Sequence, residues 1–114
     1  MHKTIVIKDQ RYLNHITGTY HPESPERLQG IYRMLKDADI AGRFIDWSPR
    51  AATKEELALN HDPDYISRIE KTAGIPHTML DPDTHTSAGS WEAAVFAAGG
   101  VLSALDSLMA GTAD

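Results

Sequence analysis

Along this chain the spacing of apolar positions switches between strand-like runs and helical repeats, and each switch marks an element. Thr4-Ile-Val-Ile7 is a short β-branched run of the kind that forms a buried strand and opens a central sheet. The polar stretch from Lys8 to Glu23 predicts a long loop. Ser24 is placed to N-cap a helix whose first position, Pro25, has no N–H to leave unpaired. Leu28, Ile31, Tyr32 and Leu35 follow at helical spacing, which predicts a helix over 25–37 with one apolar face. Arg43-Phe-Ile-Asp-Trp47 has strand character and ends at Ser48-Pro49, because proline cannot donate to a ladder.

Thr53-Lys-Glu-Glu56 matches a capping box and predicts a short helix through Asn60. Asp62-Pro63 repeats the cap-then-proline signal, and Gly74 supplies the stop. The helix between them is amphipathic, with Tyr65, Ile66 and Ile69 expected to face inward. From Gly89 to Ala110 the spacing of Trp91, Val95, Ala98, Leu102, Leu105 and Met109 is again helical. Ala93 to Leu102 carries no polar side chain on any face, so this helix calls for protein all round it. Strands separated by helices and long loops argue for an α/β fold of short parallel strands with flanking helices and a long carboxyl-terminal helix. No repeat or linker divides residues 1–114, which read as one segment of a domain.

Composition narrows the function. A chain of 114 residues buries only about two thirds of its unfolded surface, so its core is modest. Eleven Lys+Arg against sixteen Asp+Glu give a net charge of −5, and no basic run is present to neutralise a row of phosphates. Nucleic acid is therefore excluded as a partner. The absence of cysteine removes disulfides and thiolate metal sites, and fits a reducing compartment. The start has too short an apolar run for a signal peptide or a membrane span, so a cytoplasmic protein with no membrane partner is expected. Every Lys and Arg falls at or before Lys71, leaving residues 72–114 with acids only. With the apolar stretch of the last helix, that predicts self-association.

Three motifs carry chemistry. His15-Ile-Thr-Gly-Thr-Tyr-His21-Pro-Glu-Ser-Pro25-Glu-Arg27 packs two histidines, a capped helix start and a buried-looking arginine into one stretch. Its residues alone favour a proline-stiffened loop over a site. His15 and His21 lack the i, i+4 spacing that puts two imidazoles on one helix face. His61-Asp-Pro-Asp-Tyr-Ile66 reads as the start of a helix. Asp81-Pro-Asp83-Thr84 sets two carboxylates across a proline, either as a cation site or, more simply, as a turn with Asx caps. Asp83-Thr-His85 has the outward form of a metal-ligand pair, but its neighbours Pro82 and Thr86-Ser87 do not make the buried apolar strand such a pair needs. His2 and His77 lie in contexts that suit solvent exposure.

Taken together, these stretches resemble the amino-terminal part of the histone deacetylase superfamily, zinc-dependent amidohydrolases that include acetylpolyamine amidohydrolases and acetoin-utilisation proteins. The resemblance implies a partial arginase-like fold, a mostly parallel sheet with helices on both faces and loops of the site at the strand carboxyl ends. It implies that the loop of His21 and Arg27 lines the wall behind the active site, with Arg27 near a channel for the acetate product, where a guanidinium can hold carbonyls and a carboxylate. It further implies a rim aspartate that accepts hydrogen bonds from substrate amides. Counting back from Gly89 assigns that role to Asp83, with Asp81 as runner-up.

The family's mechanism requires a zinc held by two aspartates and a histidine, a metal-activated water, an adjacent histidine pair and a tyrosine. None of those motifs occurs here, so they are expected beyond residue 114. The reading is thus an amino-terminal segment, inactive alone, with no cofactor of its own. Its partners are the remainder of the catalytic domain and an acetylated lysine or polyamine substrate. Two alternatives stay open: a non-catalytic interaction module built on the same fold, and an independent metal-binding domain using His15, His21 and Asp83.

Overall fold

The computed structural model describes residues 4–112. β1 (Thr4–Ile7) and β2 (Phe44–Trp47) pair in parallel, from Thr4 opposite Phe44 to Ile7 opposite Trp47. A parallel pair needs a long crossover, and α1 (Pro25–Met34) lies within it. α2 (Lys54–Leu57) and α3 (Pro63–Glu70) follow. A separate antiparallel hairpin, β3 (Thr78–Asp81) and β4 (Thr84–Thr86), precedes the long α4 (Ser90–Met109).

The two predicted strands and the four helices are present, with ends displaced by at most three residues. Four features differ from the sequence reading. The expected loop after β1 contains a 3-10 helix, Gln10–Asn14, capped by the Asp9 carboxylate, which accepts from Arg11 N–H at 2.9 Å. Ser24 occupies the N-cap position of α1, but its hydroxyl makes no capping bond. Tyr65 is 47% exposed, whereas Ile66 is buried as expected. The β3–β4 hairpin was not anticipated at all.

The Thr53 capping box forms, with Glu56 N–H donating to the threonine hydroxyl at 3.1 Å and Thr53 N–H to the Glu56 carboxylate at 2.9 Å. Arg50 adds two further bonds to that carboxylate, each 2.8 Å. The guanidinium first, and the Thr53 N–H second, hold the Glu56 carboxyl down at about 2. Gly74, with φ +76°, turns the chain after α3, a conformation that favours glycine.

α4 is the element on which the rest is assembled. It packs on β1 and the 3-10 helix and lies against the segment that follows β2, where Ala52 N–H donates to Val95 C=O at 2.9 Å. The approach is close enough that a Cβ at Gly99 would sit 2.0 Å from the Arg50 carbonyl oxygen. One at Gly100 would sit 2.8 Å from Ile7 Cγ2. The Tyr12 hydroxyl donates to Phe96 C=O at 3.0 Å, and burial pushes its pKa up. The Trp47 indole donates to Ser103 Oγ at 3.0 Å. By length and composition α4 is apolar enough to cross a membrane, yet this backbone-to-backbone approach is that of a core helix.

Only one side of it is covered. Ile66, Ala93, Val95 and Ala104 are the buried apolar residues, and no large side chain is completely buried among the described residues. The radius of gyration is 15.8 Å, against about 13 Å expected for a compact chain of this length. The extents, 45 × 33 × 19 Å, describe a slab.

Candidate functional site

Two motifs far apart in sequence meet at one end of this slab. The loop before α1 and the turn of the β3–β4 hairpin enclose a cleft of about 560 Å³ whose lining includes Tyr20, His21, His77, Asp83 and His85. His21 Nδ1 accepts from Glu23 N–H at 3.1 Å, which fixes the proton on Nε2. That Nε2–H donates to the Asp83 carbonyl at 3.3 Å and ties the loop to the turn. Tyr20, at the lip, is fully exposed and has φ +64°, a left-handed conformation uncommon for a non-glycine residue.

The hairpin turn divides its two aspartates. Asp81 Oδ1 accepts from Asp83 N–H at 2.8 Å. That backbone bond, followed by bonds from Thr84, holds the Asp81 carboxyl below its ordinary value. Asp81 is thus the cap of its own turn, the Asx arrangement anticipated from Asp-Pro-Asp. Among the described residues none hydrogen-bonds the Asp83 carboxylate, and Asp83, not Asp81, lines the cleft.

Arg27 is not brought to this place. It lies in the first turn of α1 and is exposed, in contrast to its buried reading from sequence. Pro25 opens the helix just before it and leaves it at the surface of the slab, and no residue of α1 is buried. His61 is exposed at the start of α3, with its ring 5.9 Å from that of Tyr65.

Beneath the cleft is a polar cluster that sequence reasoning did not assemble. Ser90, the first residue of α4 and 6% exposed, lies 2.7 Å from His15 Nδ1. Its hydroxyl oxygen accepts from Ser87 N–H at 2.8 Å. His15 Nε2 stands 3.4 Å from the Glu23 carboxylate, so the imidazole donates there and accepts from Ser90. Ser87 Oγ takes Ile16 N–H at 2.9 Å and donates to Asn14 C=O at 2.8 Å. The Thr17 hydroxyl donates to Glu23 C=O. Ser, His and Glu stand in the order of a hydrolytic triad, but the serine hydroxyl is enclosed and held by backbone. Its work is to fasten the His15–Glu23 loop, and with it His21, to the start of α4. His15 is thereby removed from any metal set with His21 and Asp83. The signal lay in Ser87-Ala-Gly-Ser90, whose partners 71 to 75 positions away no local pattern reveals.

A second cavity, about 440 Å³, opens beside this cluster between Tyr12, His15, Leu28, Thr86 and Ala93. Thr86 is 5% exposed, and its hydroxyl has no partner among the described residues. No group of three or more His, Asp or Glu side chains among the described residues is placed to hold a metal ion.

Comparison with known proteins gives a consistent assignment. A family profile described as "Histone deacetylase domain" matches residues 21–114. Histone deacetylase 15 of Arabidopsis thaliana is 32% identical over 101 residues, covering 84% of this chain and 18% of that protein. The acetoin utilization protein AcuC of Bacillus subtilis is 31% identical over 121 residues, covering 99% of this chain and 31% of its own length. The crystal structure of the HDA15 HD domain superposes with a TM-score of 0.89 at 26% identity, over 98% of this chain and 33% of that one. The fold is therefore that of the deacetylase domain, the arginase-like arrangement, and the chain spans a third or less of each of these proteins.

Proposed function

Because the chain belongs to the histone deacetylase family, we propose that it is the amino-terminal segment of a zinc-dependent hydrolase that removes acetyl groups from N-acetyl-lysine or acetylpolyamine-like amides. In this reading the segment supplies the substrate-positioning side of the catalytic domain. The observation that carries it is the Asp83 carboxylate, open on the cleft while Asp81 is taken up by the turn. A carboxylate held there accepts N–H bonds from a substrate backbone or amine and sets its pose, since charge-assisted bonds are strong and directional. His21 braces the turn from behind through the Asp83 carbonyl. Arg27, exposed on this segment, would reach the product channel only once the remaining domain covers α1.

Zinc, when bound by the rest of the domain, would supply a polarised water. What this chain's residues do is bind and orient. The remaining domain is the natural partner for the open side of α4 and for the cavity beneath Thr86. Cytoplasmic placement fits the cysteine-free, acidic composition.

The test is Asp83→Asn in the full-length enzyme. This change keeps the shape and removes the charge. kcat/KM on an acetyl-lysine peptide or N-acetylpolyamine should fall about tenfold to a hundredfold, the scale of roughly 1.5–3 kcal/mol for a hydrogen bond to a charged group. Unchanged kinetics would remove Asp83 from the site. Turnover by the 114-residue chain alone, abolished by the same substitution, would overturn the reading that catalysis needs the rest of the domain.

A further inference from the structure

His77 and His85 form a pair that the deacetylase reading does not use. His85 lies on β4, and His77 immediately precedes β3, so the two stand diagonally across the open end of the hairpin. His85 Nε2 lies 3.2 Å from the Pro82 carbonyl and so carries the proton, which leaves Nδ1 with a free lone pair. His77 Nε2 faces that lone pair at 2.9 Å. The ring centres are 5.1 Å apart with their planes inclined by 29°, so the rings meet edge to edge, nitrogen to nitrogen. A single shared proton holds the arrangement.

We propose that this pair is a metal-binding site, taking one divalent ion of the imidazole-preferring kind, Cu(II) foremost with Ni(II) behind it. The proton on His77 Nε2 moves to its Nδ1, so both facing nitrogens present lone pairs with no net change of charge. In this in-line arrangement the two lone-pair axes point at each other, so binding swings both rings until the nitrogens converge on an ion at about 2.0–2.1 Å. Two imidazoles converging on one ion favour Cu(II) over Ni(II) and Zn(II), the order in which nitrogen ligands bind these divalent metals. His77 is exposed and His85 partly so, which lets the rings tilt and leaves water to fill the remaining positions from the cleft. The bound ion would clip the segment before β3 to β4 and stiffen the turn that carries Asp83. The site does not depend on the chain's being part of a deacetylase.

The test titrates CuCl₂, NiCl₂ and ZnCl₂ separately into the whole chain carrying His2→Ala, because a histidine next to a free amino terminus is itself a copper chelator. One Cu(II) per chain is expected, with two imidazole nitrogens in its electron paramagnetic resonance spectrum, tighter binding than Ni(II) or Zn(II), and a higher Tm as metal binds only the folded state. His77→Ala and His85→Ala should each weaken Cu(II) binding by at least about tenfold and abolish the Tm rise, with circular dichroism unchanged. His61→Ala should do neither. Absence of Cu(II) binding, binding that survives both His77→Ala and His85→Ala, or equal loss in His61→Ala would overturn the assignment.

Discussion

A buried hydroxyl shared by an imidazole and a backbone N–H is a small feature with a large effect, and Ser90 is that group here. Ser90→Ala leaves Ser87 N–H and His15 Nδ1 without partners in a site that is 6% exposed. Stranding such groups costs about 1–3 kcal/mol. We expect urea unfolding to show a loss of that size, with the loop of His21 loosened and the contact from His21 Nε2 to the Asp83 carbonyl lost from the histidine resonances. A loss below about 0.5 kcal/mol, the range of an ordinary surface change, would mean that the cluster does not fasten the loop. At this scale the sequence was informative about turn chemistry and silent about partnership. Asp81 as an Asx cap and Thr53 with Glu56 as a capping box were legible because their bonds span two or three residues. The His15–Ser90 and His77–His85 bonds were not, because a hydrogen bond between segments leaves no periodicity in either.

Elements follow the same division. β1, β2 and all four helices announce themselves through apolar spacing and caps. The β3–β4 hairpin does not, since Thr78-Met-Leu-Asp81 and Thr84-His-Thr86 are short, mostly polar, and joined by a turn that can be read without its strands. Nor does helical spacing distinguish a covered face from a bare one: all of α4 looked fit for burial, and it is the glycines that mark where neighbours touch. Gly99→Ala puts the two effects in competition. On an open helix the change would gain about 1 kcal/mol of propensity. Here the added Cβ would lie 2.0 Å from a carbonyl oxygen and 2.5 Å from Ala52 N, and overpacking of this kind costs about 1–3 kcal/mol or more. Since the obstacle is backbone, the clash should win and thermal melting should show a lower Tm. A rise in Tm would mean that the 50–52 segment can withdraw from α4.

At the scale of the molecule, the open side of α4 dominates. Val101, Leu105 and Met109 are 61%, 51% and 82% exposed, on a helix with no basic residue in its last turn. Without the rest of the domain this stripe exposes apolar area of a kind that monomers seldom leave bare, so the isolated chain should self-associate with rising concentration, and Leu105→Glu should return it to monomer. Sedimentation of a monomer at high concentration, with no hydrophobic-dye binding, would contradict this. The position of α4 also has a consequence in time. Synthesis delivers β1 before α4, yet β1, the Tyr12 turn and the segment after β2 all rest on α4 through Ile7, Phe96 and Val95. The hairpin holding Asp83 closes over a few residues, whereas the β1–β2 pairing joins positions forty apart and gains little until a surface exists to receive it. On the ribosome the order of folding would therefore run against the order of the chain, with the β1–β2 pair waiting on a helix made after it.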